Sequence, residues 1–163
     1  ESRANLIYIA LGSDLGNKRN NIEKAKFKMI KENINILQTS SFYESLSWPN
    51  PKNPKFLNVV LRIATTLNPI ELLNKCKEIE LKLGRKKTAK NSPRVCDIDL
   101  IDYNMTILND KVILPHPRMQ TRNFVLLPLF EINKNWIHPI SKLHVKTLIL
   151  RLPNSDIRSI KQL

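Results

Sequence analysis

The chain has 163 residues, 42% of them hydrophobic and 25% charged, with 27 lysines and arginines against 14 aspartates and glutamates, a formal net charge of +13. That length suits one domain with a sizeable core, no apolar run is long enough to span a bilayer, and Leu6-Ile7-Tyr8-Ile9-Ala10-Leu11 is too short for a secretory signal. The positive charge is spread along the chain without a long block of like charges or interleaved aromatic residues, which argues against a nucleic-acid surface and fits a smaller polyanion equally well.

Residues 6–11 read as a buried strand, and Gly12-Ser13-Asp14-Leu15-Gly16 as a tight turn into a helix over about 18–32, with Ile22, Ala25, Met29 and the adjoining Ile30 on its apolar face. The G-x-x-x-G spacing lacks the Gly-Lys-Ser/Thr ending of a phosphate-cradling P-loop. Residues 34–43 form a second strand that ends in Phe42-Tyr43. From Ser45 to Pro54 the chain carries Pro49, Pro51 and Pro54, so it is an exposed loop, with Trp48 as a packing anchor or part of a ligand lid. Phe56 to Thr66 returns as a strand. Asn68-Pro69 then starts a helix, Asn as N-cap and Pro in the first turn. Leu72, Leu73, Cys76, Ile79 and Leu83 form its apolar stripe, and Gly84 ends it. Glu80 borders that stripe, where a carboxylate reaches either water or a partner.

The basic connection Arg85 to Ser92 leads into Pro93-Arg94-Val95-Cys96-Asp97-Ile98-Asp99, the most informative stretch of the chain. In a strand, alternate residues share a face, so Asp97 and Asp99 project together and Ile98 and Leu100 project oppositely. Two carboxylates that close repel unless a positive charge lies between them. A divalent cation with hard oxygen ligands, above all Mg²⁺, supplies it; two solvated carboxylates on a half-exposed strand are the alternative. Residues 105–108 and 111–114 flank Asn109-Asp110, a hairpin turn. Pro115-His116-Pro117 breaks structure, 119–132 reads as partly helical and 142–152 as a short amphipathic helix. The order predicts one α+β domain, a ferredoxin-like β-α-β-β-α-β sandwich with an added hairpin and C-terminal helices. Cys76 and Cys96 make no disulfide framework and suit a reducing cytoplasm; with His116, His138 and His144 they show no recognised zinc spacing. The chain begins at Glu1 rather than Met, as a piece of a longer polypeptide would.

Three clusters are candidates to meet: the Asp97/Asp99 pair, the basic set Arg85, Lys87 and Arg94, and the segment Leu114 to Phe124 with His116, Arg118 and Arg122. Acidic metal ligands facing guanidinium groups make an arrangement suited to polyphosphate, since metal ions bridge phosphate oxygens and guanidinium groups clamp those that gain charge.

These residues carry a resemblance. Ala10-Leu11-Gly12-Ser13-Asp14-Leu15-Gly16, Ser41-Phe42-Tyr43, Phe56-Leu57-Asn58, Glu78-Ile79-Glu80 with Gly84-Arg85, Pro93-Arg94 with Asp97-x-Asp99-Leu100, and Leu114-Pro115-His116 with Arg122-x-Phe124 closely resemble the 6-hydroxymethyl-7,8-dihydropterin pyrophosphokinase family of folate biosynthesis, over nearly the whole chain. The resemblance implies transfer of pyrophosphate from ATP to the pterin hydroxymethyl oxygen, with release of AMP. It implies two Mg²⁺ ions on Asp97 and Asp99. Arg85, Lys87, Arg94, His116 and Arg122 match nucleotide and phosphate contacts, and Leu73, Lys77, Glu80, Ile98 and Lys111 match positions near ATP. The pterin is expected between Phe56 and Phe124, with Asn58 and Ser45 on its ring edge and the Trp48 backbone lining the slot. The expected partners are thus the pterin and ATP, with no nucleic acid or membrane, and fusion or association with another folate-pathway enzyme fits the missing Met.

The chain also departs from the family pattern. Lys90-Asn91-Ser92 stands where the family usually carries Arg-Trp-Gly, and Lys87 stands where Arg is common, which keeps charge and loses bidentate geometry.

Overall fold

A computed structural model describes residues 5–47, 50–84 and 95–163. The central strand β1 (Ile7–Ser13) is buried along its whole length, because it pairs on both sides. It runs antiparallel to β4 (Phe56–Ala64) with Ala10 opposite Val60 and Gly12 opposite Asn58, and antiparallel to β5 (Asp97–Tyr103) with Ala10 opposite Asp99 and Gly12 opposite Asp97. On the far side of β4 lie β2 (Asn35–Thr39) and β3 (Tyr43–Ser45), and β8 (Lys161–Gln162) pairs β3. The sheet order is β5-β1-β4-β3-β8, with β2 also on β4, so among the described residues β5 is a sheet edge.

The two faces of this antiparallel sheet bury different layers. Ile7, Ile9, Leu11, Val59, Leu61, Ile63, Ile98 and Leu100 point to α1 (Lys18–Lys31) and α2 (Pro69–Lys82). Tyr8, Ala10, Val60 and Ile101 point to α3 (Asn123–Ile132) and α4 (Val145–Leu150). A register shift between Tyr8 and Ile9 on β1 lets both Ile101 and Asp102 of β5 turn inward. Asp102 there accepts the Trp136 indole N–H at 2.9 Å. Burial raises its carboxyl above the usual range, against the hydrogen bonds that lower it.

α1 buries Ile22, Ala25 and Met29, a stripe in which each of the two large side chains contributes about 1.5–3 kcal/mol. Ile30, expected beside them, is 52% exposed, because one residue past Met29 the helix has already turned by a hundred degrees or so. α2 begins as expected: Asn68 Oδ1 accepts the Glu71 N–H and Glu71 Oε1 accepts the Asn68 N–H, a capping box with Pro69 in the first turn. Gly84 follows at φ +98, a left-handed position that ends the helix.

Three expectations need correction. Gly12 lies inside β1 rather than in the turn after it. The strand expected over 34–43 is two pieces: at Ser40 the backbone N–H still donates to Val60 O, but the hydroxyl accepts the Val60 N–H. The hairpin forms as β6 (Leu108–Asn109) and β7 (Ile113–Leu114), so Asn109 ends a strand and the turn covers 110–112. α5 (Asn154–Ser159) completes the C-terminal helices. No helix among the described residues is long and apolar enough to cross a membrane.

Candidate active site

Asp97 and Asp99 share the sheet face opposite Ile98 and Leu100, as the alternation requires: the two isoleucine/leucine side chains are buried and the two carboxylates half-buried. The 3₁₀ turn Met119–Thr121 and the start of α3 deliver Arg122, whose Nη1 lies 3.8 Å from Asp99 Oδ2. Burial lowers the Arg122 pKa from its ordinary value, Asp99 opposes that shift, and Arg118 adds to it; an arginine stays charged throughout. The Arg122 guanidinium carbon also stands 5.4 Å from the Phe124 ring centroid. One cation therefore joins the acidic pair to an aromatic ring.

Beside this pair two side chains close in on Gly12. A side-chain carbon on Gly12 would stand 3.3 Å from Asn58 Oδ1 and 3.4 Å from the Phe56 ring. The Asn58 amide nitrogen donates to Tyr43 O at 3.1 Å and Ser45 Oγ at 2.9 Å. Its carbonyl oxygen is thereby turned toward Gly12, an acceptor held in place by two others. Phe56, Asn58 and Ser45 thus come together as expected, with the Ser45 hydroxyl oxygen accepting from the Asn58 amide. Gly12 was not among the expected site residues. The available signal is a glycine inside an otherwise apolar strand, which marks close approach of another group.

His116 sits where the chain returns along β5, its N–H donating to Ile101 O at 2.8 Å after the cis Leu114–Pro115 peptide. Its Nδ1 accepts the Arg118 N–H at 3.1 Å, which leaves the proton of the neutral ring on Nε2. Burial, then Arg122 and Arg118, push its pKa down to about 4, so near neutral pH it is an uncharged donor.

The remaining expected residues lie around β5. Leu73, Lys77 and Glu80 occupy one side of α2, half-buried, exposed and buried in turn. Glu80 is 7% exposed, and its Oε2 accepts the Ile98 N–H at 2.7 Å. Lys111 is exposed on the β6–β7 hairpin, and β7 packs on β5. Cys76 and Cys96 are free and buried; burial raises the Cys76 thiol to about 12 and Cys96 higher still, with Asp97, Glu80 and Asp99 adding to the Cys96 shift. Both thiols are thereby kept protonated near neutral pH, which disfavours nucleophilic attack. Trp48, Arg85, Lys87 and Arg94, and the Lys90-Asn91-Ser92 departure, lie outside the described residues.

Among the described residues no three His, Cys, Asp or Glu side chains converge to cage a metal. Two carboxylates on one open face fit Mg²⁺ all the same. Mg²⁺ commonly takes one or two protein carboxylates and fills its octahedron with water and substrate phosphate.

Fold and site together define an antiparallel α+β domain with a paired-aspartate, arginine-flanked centre beside the Gly12, Asn58 and Phe56 group. The family model described as 7,8-dihydro-6-hydroxymethylpterin-pyrophosphokinase (HPPK) matches residues 8–134. The chain is 42% identical over 151 residues to "Folic acid synthesis protein FOL1" of Dictyostelium discoideum, which covers 92% of this chain and 23% of that protein. It is 39% identical over 141 residues to the 2-amino-4-hydroxy-6-hydroxymethyldihydropteridine pyrophosphokinase of Aquifex aeolicus, covering 86% of this chain and 88% of that one. A solved HPPK-DHPS structure in complex with substrates superposes with a TM-score of 0.74 at 12% identity, over 99% of this chain and 47% of that chain, a likeness of fold. The chain belongs to the HPPK family. It spans under a quarter of the length of the FOL1 proteins of Dictyostelium discoideum and Pneumocystis carinii, 23% and 21% respectively.

Proposed function

We propose that this chain is a pyrophosphokinase domain that transfers pyrophosphate from ATP to 6-hydroxymethyl-7,8-dihydropterin, forming the pterin diphosphate and AMP in folate biosynthesis. The observation that carries the reading is that Asp97/Asp99 and the Gly12–Asn58–Phe56 slot lie on one sheet face, Gly12 being the cross-strand partner of both Asp97 and Asn58. A phosphate-handling centre thereby adjoins a flat, partly aromatic recess. The strand order 5-1-4-(2,3), all antiparallel, supports a ferredoxin-like β-α-β-β-α-β core, with the hairpin and the C-terminal helices added to it.

Asp97 and Asp99 would hold two Mg²⁺ ions, which when bound offset charge on the entering and leaving oxygens of the transferred group. Arg122 places a fixed guanidinium beside that centre, and neutral His116 offers Nε2–H to a phosphate oxygen. Asn58 Oδ1 accepts from an N–H on the pterin edge, and Phe56 and Phe124 enclose the ring. Leu73, Lys77, Ile98 and Lys111 border the side of β5 where the nucleotide would lie, with Arg85, Lys87 and Arg94 supplying further phosphate contacts and Trp48 the slot's rim. Buried free thiols suit a cytoplasmic setting. Relatives named as bifunctional folate synthesis proteins support a domain fused to, or working beside, another enzyme of the same pathway.

The test is direct. Incubation with ATP, Mg²⁺ and 6-hydroxymethyl-7,8-dihydropterin should yield AMP and the pterin diphosphate in equal amounts, and chelation of the metal should stop both. Formation of ADP instead of AMP, or no turnover with both substrates present, would refute the reading.

A further inference from the structure

β5 carries both carboxylates of the site, yet among the described residues it is the edge of the sheet. Its inner side is fixed by the ladder to β1, Asp97 against Gly12, Ile98 against Leu11 and Asp99 against Ala10. An edge strand presents its outward backbone groups to solvent and is prone to fray. At Ile98 that does not happen, because the Ile98 N–H donates to Glu80 Oε2 at 2.7 Å. The bond is short and almost fully buried, so losing its acceptor would leave a buried N–H without a partner, a costly change. Glu80 is itself delivered by a rigid support: α2 is closed at its start by the Asn68–Glu71 capping box and seated on the core through Leu72, Cys76 and Ile79.

We propose that Glu80 is a positioning residue for the Asp97–Asp99 pair: by gripping the N–H of Ile98, the residue between them, it sets their carboxylates in a metal-binding geometry without ligating the metal. The inference rests on the proposed metal-dependent activity and departs from a direct nucleotide role for Glu80. Ile98 is the residue between the two aspartates, so pinning its nitrogen fixes the backbone that sets both side-chain directions at once. Glu80 reaches it from the α2 layer, whereas the two carboxylates project from the opposite face. A group behind the strand can aim the pair and does not share its cation. Partners behind the ligands are known to weigh nearly as much as the ligands themselves, their loss costing about 10- to 100-fold in metal affinity.

The experiment compares wild type, Glu80→Ala and Glu80→Gln by Mn²⁺ binding, read from the paramagnetic signal of the free ion with α,β-methylene-ATP present, and by exchange of the Ile98 amide hydrogen. Glu80→Ala should weaken Mn²⁺ binding about 10- to 100-fold and release the Ile98 amide to rapid exchange. Glu80→Gln keeps a carbonyl oxygen in place, so both readouts should stay close to wild type. If Glu80→Ala does not fold, Glu80→Gln decides: retained Mn²⁺ affinity with a protected Ile98 amide supports positioning through the hydrogen bond, and lost affinity overturns it. Unchanged Mn²⁺ affinity in Glu80→Ala, with the Ile98 amide released, would overturn the proposal and leave the pyrophosphokinase reading standing. A wild-type protein that binds no Mn²⁺ with the nucleotide would overturn both.

Discussion

Gly12 and Asn58 face each other across the β1–β4 ladder so closely that a methyl group on Gly12 would stand 3.3 Å from Asn58 Oδ1. The missing side chain is filled by the carboxamide on one side and by the Phe56 ring, 3.4 Å from the same point, on the other. Glycine here serves a close approach, since nothing about its backbone demands a left-handed conformation.

Gly12→Ala should therefore harm binding more than folding. Alanine in a strand is worth about 0.5–1 kcal/mol over glycine, which offsets much of the crowding, so the melting temperature should move little. The Asn58 amide and Phe56 must give by a few tenths of an ångström, and the KM for the pterin should rise about tenfold for that misplacement, with the KM for ATP nearly unchanged. Steady-state titration of each substrate separately checks this; equal rises in both KM values would contradict it.

Asp97→Asn and Asp99→Asn each leave a side chain of the same size and remove a charge proposed to bind metal. Each should lower kcat by about 10²- to 10⁴-fold, with secondary structure and melting temperature close to wild type. Normal Mg²⁺-dependent AMP formation by both variants would remove these residues from the chemistry.

His116 carries a pH signature. Its folded pKa lies near 4, below the ordinary histidine value of 6.5, because burial and then Arg122 and Arg118 disfavour the cation. Between those values the unfolded chain binds the proton and the folded chain does not, so stability is full above about pH 6.5 and is lost as pH falls toward 4. The ring is only partly buried and the arginines are screened, so the loss should be about 2 kcal/mol rather than the whole of the shift. Urea unfolding of wild type and His116→Gln from pH 7.5 to 4.5 should show a shallower decline in the variant; parallel curves would contradict the assignment. Carboxylates that titrate in the same range contribute to both proteins and cancel in the difference.

Asn68→Ala tests the fold apart from the site. The variant loses the Asn68 side chain from the capping box of α2 and should cost about 1 kcal/mol, a drop of about 2–4 °C in melting temperature for a domain of this size. The KM values for both substrates should hold, because the helix remains seated by Leu72, Cys76 and Ile79.

Local signals were the ones legible in the chain. Asn68-Pro69 and Gly84 announced both ends of α2, since a cap and a left-handed stop act within one turn. The alternation around Asp97 and Asp99 announced two carboxylates on one face, since the period of a strand is a property of the backbone. Where a neighbour mattered, local reading faltered. Ile30 looks like core until the helix phase is set by contact with the sheet, and 34–43 looks like one strand until the Ser40 hydroxyl takes the Val60 N–H.

The sequence by itself determined the alternating helix and strand order, the acidic pair and its basic company, and the motifs that carry the family likeness. Tertiary structure decided what those residues do to one another. It placed Gly12 inside a strand, with Asp97 and Asn58 as its cross-strand partners, turned the Asn58 carbonyl toward Gly12, and set Glu80 behind Ile98, the residue between the two aspartates. These relations run between segments brought together only when the sheet closes, and the pairing register that fixes them is a property of two strands at once.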